Sequence, residues 1–200
     1  MNNPIDIKRF DATWRARWPD CRPIGHELRS SVRDFWVRFH SLPESRRHAR
    51  DDADYDELLA RHFTLLDELN SSVSAPDEGL RVVTVSWSAS PHRSGRPPAL
   101  VSAVPEATHW QSLPYHLDGS DPVLAHLHVS ATAADPDALR ALLLLVADDG
   151  AADVIIGPPD LSWLYHPYDG GGDVIAPDPA TRDRLRNRYA DWLPRNPQGL

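Results

Sequence analysis

Apolar positions along this chain change period several times, and each change marks an element. Phe10, Trp14 and Trp18 fall four residues apart, one face of a short N-terminal helix. Residues 33–40 alternate instead, with Phe35, Val37 and Phe39 on one side and Trp36, Arg38 and His40 on the other, the pattern of a strand. Ser41-Leu-Pro-Glu44 and Asp54-Tyr-Asp-Glu57 both read as capping boxes, so a helix is expected to start near each. The second of these carries Leu58, Leu59, Phe63, Leu65, Leu66 and Leu69 in a broad stripe, ending at Asn70-Ser-Ser and a Pro76-Asp-Glu-Gly79 turn.

Residues 80–87 are rich in β-branched side chains and predict a strand, whereas 88–98 hold three prolines and a glycine and predict an exposed loop. Residues 124–131 form the next expected strand. Asp135-Pro136 then places an N-cap and a proline at the first position of a helix that is apolar nearly all round, so it should be covered on several sides. Residues 153–157 suggest a short strand. From Leu161 to Ala176 two β-forming segments close on Asp169-Gly-Gly-Gly172, read as a hairpin whose glycines permit positive φ and whose aspartates bond backbone amides. Asp178-Pro179 opens a last helix with Leu185, Tyr189, Trp192 and Leu193 on one face.

The order predicts one α+β domain over residues 1–200: a mixed, largely antiparallel sheet with helices packed mainly on one face. A doubly wound nucleotide fold is disfavoured, because strands and helices do not alternate regularly and no G-x-G-x-x-G follows a strand. The glycine run lacks the Lys and Ser or Thr of a phosphate loop. Cys21 is the lone cysteine of 200 residues, which excludes an internal disulfide and fits a reducing, cytoplasmic setting. There is no basic segment leading an apolar run at the N-terminus, and no apolar stretch of membrane-spanning length.

Charge adds a second theme. Residues 1–100 carry 15 basic and 15 acidic side chains; residues 101–200 carry 6 and 14, which accounts for the net −8. Between Val101 and Asp178 the only base is Arg140. Such a field disfavours nucleic acid and favours a cationic partner.

Candidate chemistry is sparse. His126 and His128, two apart on an expected strand, project to one side and could share a metal. His166, Asp169 and Asp173 lie around the hairpin and could complete a His/carboxylate site if the strands are neighbours. Cys21 near His26 is not evidence of an activated thiolate, and His26-Glu27 lacks the second histidine of a zincin. Trp110 and Tyr115, in an irregular Pro-containing stretch, and Tyr168, Asp169 and Asp173 at the hairpin are the candidate contact residues, since aromatics beside acids commonly anchor interfaces.

The segments Pro23-Ile-Gly-His-Glu-Leu-Arg29, Trp163-Leu-Tyr165, Tyr168-Asp-Gly-Gly-Gly-Asp-Val-Ile175 and Tyr189-Ala-Asp-Trp-Leu193 resemble the bacterial domain-of-unknown-function family 3885. The resemblance is strongest over residues 161–193. It implies a hairpin turn commonly reading Asp-Arg-Gly followed by Asp-Val, matched here at Asp169, Gly171, Asp173 and Val174 but with Gly170 at the arginine position. It also implies the C-terminal Tyr189, Asp191 and Trp192, and it brings no activity.

Two functions stand as expectations. The first is an acidic cytoplasmic binding protein, of immunity or antitoxin type, that docks a basic protein without any cofactor. The second is a metal-dependent hydrolase using a divalent transition metal on His126, His128, His166 and Asp173. Neither involves a membrane, and oligomeric state is left open.

Overall fold

A computed structural model describes residues 5–71, 79–89, 95–116 and 121–196. Its strands are β1 (Trp36–His40), β2 (Leu80–Ser88), β3 (Thr108–Tyr115), β4 (Val123–Thr132), β5 (Ile155–Gly157), β6 (Leu164–Tyr168) and β7 (Gly171–Ile175). Among the described residues they form one seven-stranded sheet in the order β1-β7-β6-β5-β2-β4-β3, and every pairing is antiparallel. The fold is therefore α+β, built on a single sheet. The mixed component that was expected is absent from it.

The helices are α1 (Ile7–Arg17), α2 (Leu28–Ser31), α3 (Asp52–Asn70), α4 (Pro98–Ala103), α5 (Pro136–Ala147) and α6 (Pro179–Arg188). Strand alternation divides the core between two sheet faces. Val37, Phe39, Val82, Ile156, Tyr165 and Val174 join apolar residues of α3, α4, α5 and α6 on what we call the helical face. Val83, Val85, Leu127, Ile155, Leu164 and Ile175 meet Phe10, Trp14 and Leu28 on the other, the N-terminal face. Most of the helical mass thus lies on one side, as the sequence predicts. No helix among the described residues is long and apolar enough to cross a membrane.

Local chemistry explains the clearest boundaries. Asp135 accepts the amide of Ala138 at 2.9 Å and Pro136 follows at the first helical position, so α5 starts where predicted. Leu139, Leu142, Leu143, Val146 and Ala147 of α5 are buried, with Leu144 and Leu145 packed beside them. Asp178 caps α6 through the amide of Thr181 at 2.7 Å.

Other boundaries move. The N-cap of α3 is Asp51, which accepts the Asp54 amide at 3.0 Å; Asp54 itself sits inside the first turn and pairs with the Arg46 guanidinium. Ser41-Leu-Pro-Glu44 starts only a 3₁₀ turn, because Glu44 and Ser45 have φ of 58° and 59° and stop helical propagation. Residues 33–35 form a 3₁₀ turn, so Phe35 lies before the strand and not in it. The stretch holding Trp110 and Tyr115 is not irregular: it is β3, an edge strand that bulges between His109 and Gln111 and tolerates Pro114 at the sheet margin. The expected loop at 88–98 yields α4 at its end, while its residues 90–94, like most of the 76–79 turn, lie outside the described residues.

The β6–β7 hairpin turns on Asp169-Gly170, with Tyr168 opposite Gly171. Its glycines are not there for positive φ; among the described glycines only Gly79 has it, at 66°. Gly171 and Gly172 belong to β7 and admit close approach: a Cβ on Gly171 would strike the Phe39 carbonyl oxygen, and one on Gly172 would strike the Tyr165 phenol.

Candidate functional site

His126 and His128 do share a face, as their spacing requires, but it is the helical face. His166 and Asp173 project from the N-terminal face, with β5 and β2 lying between their strands and β4. The four donors expected of a metal-dependent hydrolase are therefore not brought together. His126 is instead held between two hydroxyls, with Nε2 2.8 Å from Ser88 Oγ and Nδ1 2.7 Å from Ser112 Oγ. Burial, reinforced by the neighbouring His109 ring, lowers the pKa of His128 to about 4, so it is neutral at pH 7. Among the described residues the one triple whose ligand atoms lie within 4.8 Å of one another is His48, Asp149 and Asp169. There the Asp169 carboxylate is already held by Arg47 at 2.6 Å.

The five candidate contact residues fare unequally. Trp110 is buried, its indole N–H donating to Asp11 at 3.0 Å and its ring meeting Phe10 edge-on at 4.8 Å, so it is core between α1 and β3. Asp173 is fully buried, and both its oxygens accept from Arg38 at 2.7 Å. Asp169 is also buried, and Tyr168 lies under the Arg38 guanidinium at 4.7 Å with its phenol pKa raised by burial. The hairpin aspartates bond arginines, and neither serves backbone amides in the way the sequence suggested. Tyr168 and Tyr115 are both half-buried, and of the two it is Tyr115 that stands against the exposed Trp87 ring.

Tyr115 ends edge strand β3 and belongs to a built network. Its hydroxyl lies 2.7 Å from His26 Nε2, and His26 Nδ1 lies 2.7 Å from Asp153 Oδ1, which also accepts the His26 amide at 3.0 Å. With the Nδ1 proton assigned to the bond with Asp153, Nε2 of neutral His26 is left to accept the Tyr115 O–H. Asp153 raises the His26 pKa, outweighing burial. Burial pushes the Asp153 carboxyl up, but its bonds to His26 outweigh that and hold it below its usual range. The tight turn that presents His26 depends on Gly25, since a Cβ there would strike the His166 ring.

Around this network lies an aromatic shelf. Trp87, 37% exposed, stands edge-on to Tyr115 at 5.0 Å, and Arg22 covers the Tyr115 ring at 5.3 Å while donating to the Pro114 carbonyl at 2.8 Å. Burial, with Glu27 and Asp153 nearby, raises the Tyr115 pKa, so the phenol stays neutral at pH 7. The arrangement fixes a ring and a hydroxyl in place; it does not generate a tyrosinate nucleophile. Cys21 is no nucleophile either, since burial pushes its thiol up to about 11.

Sequence reasoning missed His26, Asp153, Arg22 and Trp87 as one site. Asp153 follows His26 by 127 positions and Tyr115 follows it by 89, so no local spacing signals the network. The charge asymmetry holds a partial signal, because acids of the second half meet cations of the first: Asp153 with His26, Asp169 with Arg47, Asp173 with Arg38.

No curated protein and no solved structure matches the chain. The model of the domain of unknown function DUF3885 matches residues 24–197, a span that takes in the His26–Asp153–Tyr115 network and the hairpin, and the chain belongs to that family.

Proposed function

We propose that this is a small binding protein that docks a basic protein partner, in the manner of an immunity protein or antitoxin. The shelf of Trp87, Tyr115 and Arg22, held in place by His26 and Asp153, carries this reading. Trp, Tyr and Arg are the residue types that dominate interface energetics, and a ring already held by hydrogen bonds loses little freedom on docking. The sign of the partner follows from net charge. Each internal ion pair removes one charge of either sign, so the net −8 persists on the surface and steers cationic proteins toward the molecule.

A photo-crosslinking side chain at position 29, exposed on α2 close to His26, identifies the partner in cells that express the full chain; the purified pair is then titrated. The expected partner carries net positive charge, Trp87→Ala and Tyr115→Phe each weaken it, the former by about tenfold or more, and added salt slows association. An acidic partner, or an affinity indifferent to Trp87→Ala, overturns the proposal.

A further inference from the structure

The opposite edge of the sheet carries a feature that the docking surface does not use. Along β1, closed by α6 and residues 193–196, lies a pocket of about 330 Å³. Five arginines line it, Arg33, Arg38, Arg182, Arg186 and Arg195, against a single acid, Asp34. Two are committed elsewhere: Arg38 grips Asp173, and Arg182 pairs with Asp183 while donating to the Asp34 carbonyl at 2.7 Å. Arg33, Arg186 and Arg195 make no ion pair among the described residues.

Counting Asp34, Asp173 and Asp183 against the five guanidiniums leaves two positive charges in excess. That sign runs against a molecule of net −8, so the pocket does not follow from composition. Like charges gathered round a concavity repel one another, and an anion removes the repulsion. Arg182 and Arg186, four apart on α6, share a helix face, and Arg33 approaches from the segment before β1. The wall also offers apolar surface in Trp36, Leu193 and Pro194, and the buried indole N–H of Trp36 has no acceptor among the described residues. Guanidinium forks match phosphate oxygens in pairs, and the volume falls at the small end of ligand sites, about 300–1,000 Å³.

The geometry points to a binding site for a small organic phosphate, its phosphoryl group between Arg33, Arg186 and Arg195 and its organic part against Trp36 and Leu193. This goes beyond the docking reading and does not depend on it, because the site lies on the far edge strand.

Calorimetric titration of the full chain with AMP, glucose 6-phosphate, phosphoserine, inorganic phosphate and citrate tests it. At least one organic phosphate is expected to bind tighter than inorganic phosphate and citrate. Arg186→Ala and Arg33→Ala should each weaken that ligand roughly ten- to a hundredfold, the scale of one lost charged hydrogen bond. Arg140→Ala, at an exposed position of the otherwise largely buried α5, serves as the control for general charge and should leave it unchanged; far-ultraviolet circular dichroism checks the fold of each variant. The proposal is overturned if no organic phosphate exceeds inorganic phosphate, if citrate binds as tightly, or if the Arg33 and Arg186 variants, still folded, bind as well as the parent.

Discussion

His62 makes the acid sensitivity of this fold calculable. It lies on α3, fully enclosed in the helical-face core, with Nδ1 2.5 Å from the Tyr165 hydroxyl. Burial alone lowers its pKa to about 4, and no carboxylate offsets that. In the unfolded chain the ring has its ordinary value near 6.5. Between those values the unfolded chain binds the proton and the native protein does not, so stability is complete above about pH 6.5 and declines as pH falls toward 4. The loss works out at about 2 kcal/mol at pH 5 and about 3 kcal/mol at pH 4.

Urea unfolding of the parent and of His62→Gln at a series of pH values isolates this contribution. The glutamine variant starts lower at pH 7 but lacks the titration, so the two stabilities should converge on acidification. With a slope of about 2 kcal/mol/M, the difference between midpoints changes by about 1 M between pH 7 and pH 5. Other histidines titrate in both proteins and cancel in the comparison. Parallel curves over this range would show that His62 is not held neutral by burial.

Two further outcomes concern β7. Gly172→Ala drives a methyl group into the Tyr165 phenol that bonds His62, and should lower stability by about 1–3 kcal/mol with disturbed near-ultraviolet dichroism; an unchanged midpoint would refute the close-packing argument. Asp173→Asn leaves the largely buried Arg38 without its carboxylate and should cost about 3–5 kcal/mol, whereas Arg38→Met with Asp173→Leu should recover most of the loss, as thermal unfolding would register.

What the sequence revealed depended on how local each determinant is. The α5 cap at Asp135-Pro136 and the Asp169-Gly170 reversal rest on neighbouring residues, and both lie where the pattern put them. Strand β3 was hidden because Pro114 and the bulge beside Trp110 break the alternation that marks a strand. His126 and His166 look equivalent along the chain, yet the sheet order and strand phase put them on opposite faces, which no spacing rule encodes. The acidic bias of the second half was legible as charge. Its use by His26, Arg38 and Arg47 was not, since those pairings depend on strands and loops that meet only after folding.

The pairing of β1 with β7 sets a condition on how the chain can be made. Among the described residues, 36–40 pair with no strand but 171–175, so during synthesis β1 has no strand partner until the chain has grown some 135 residues beyond it. Arg38 waits equally long for Asp173. The edge of the sheet that carries the arginine-lined pocket is thus the last to be assembled, and a chain stopped before residue 171 leaves β1 as an open template for other strands, the circumstance in which aggregation competes with folding.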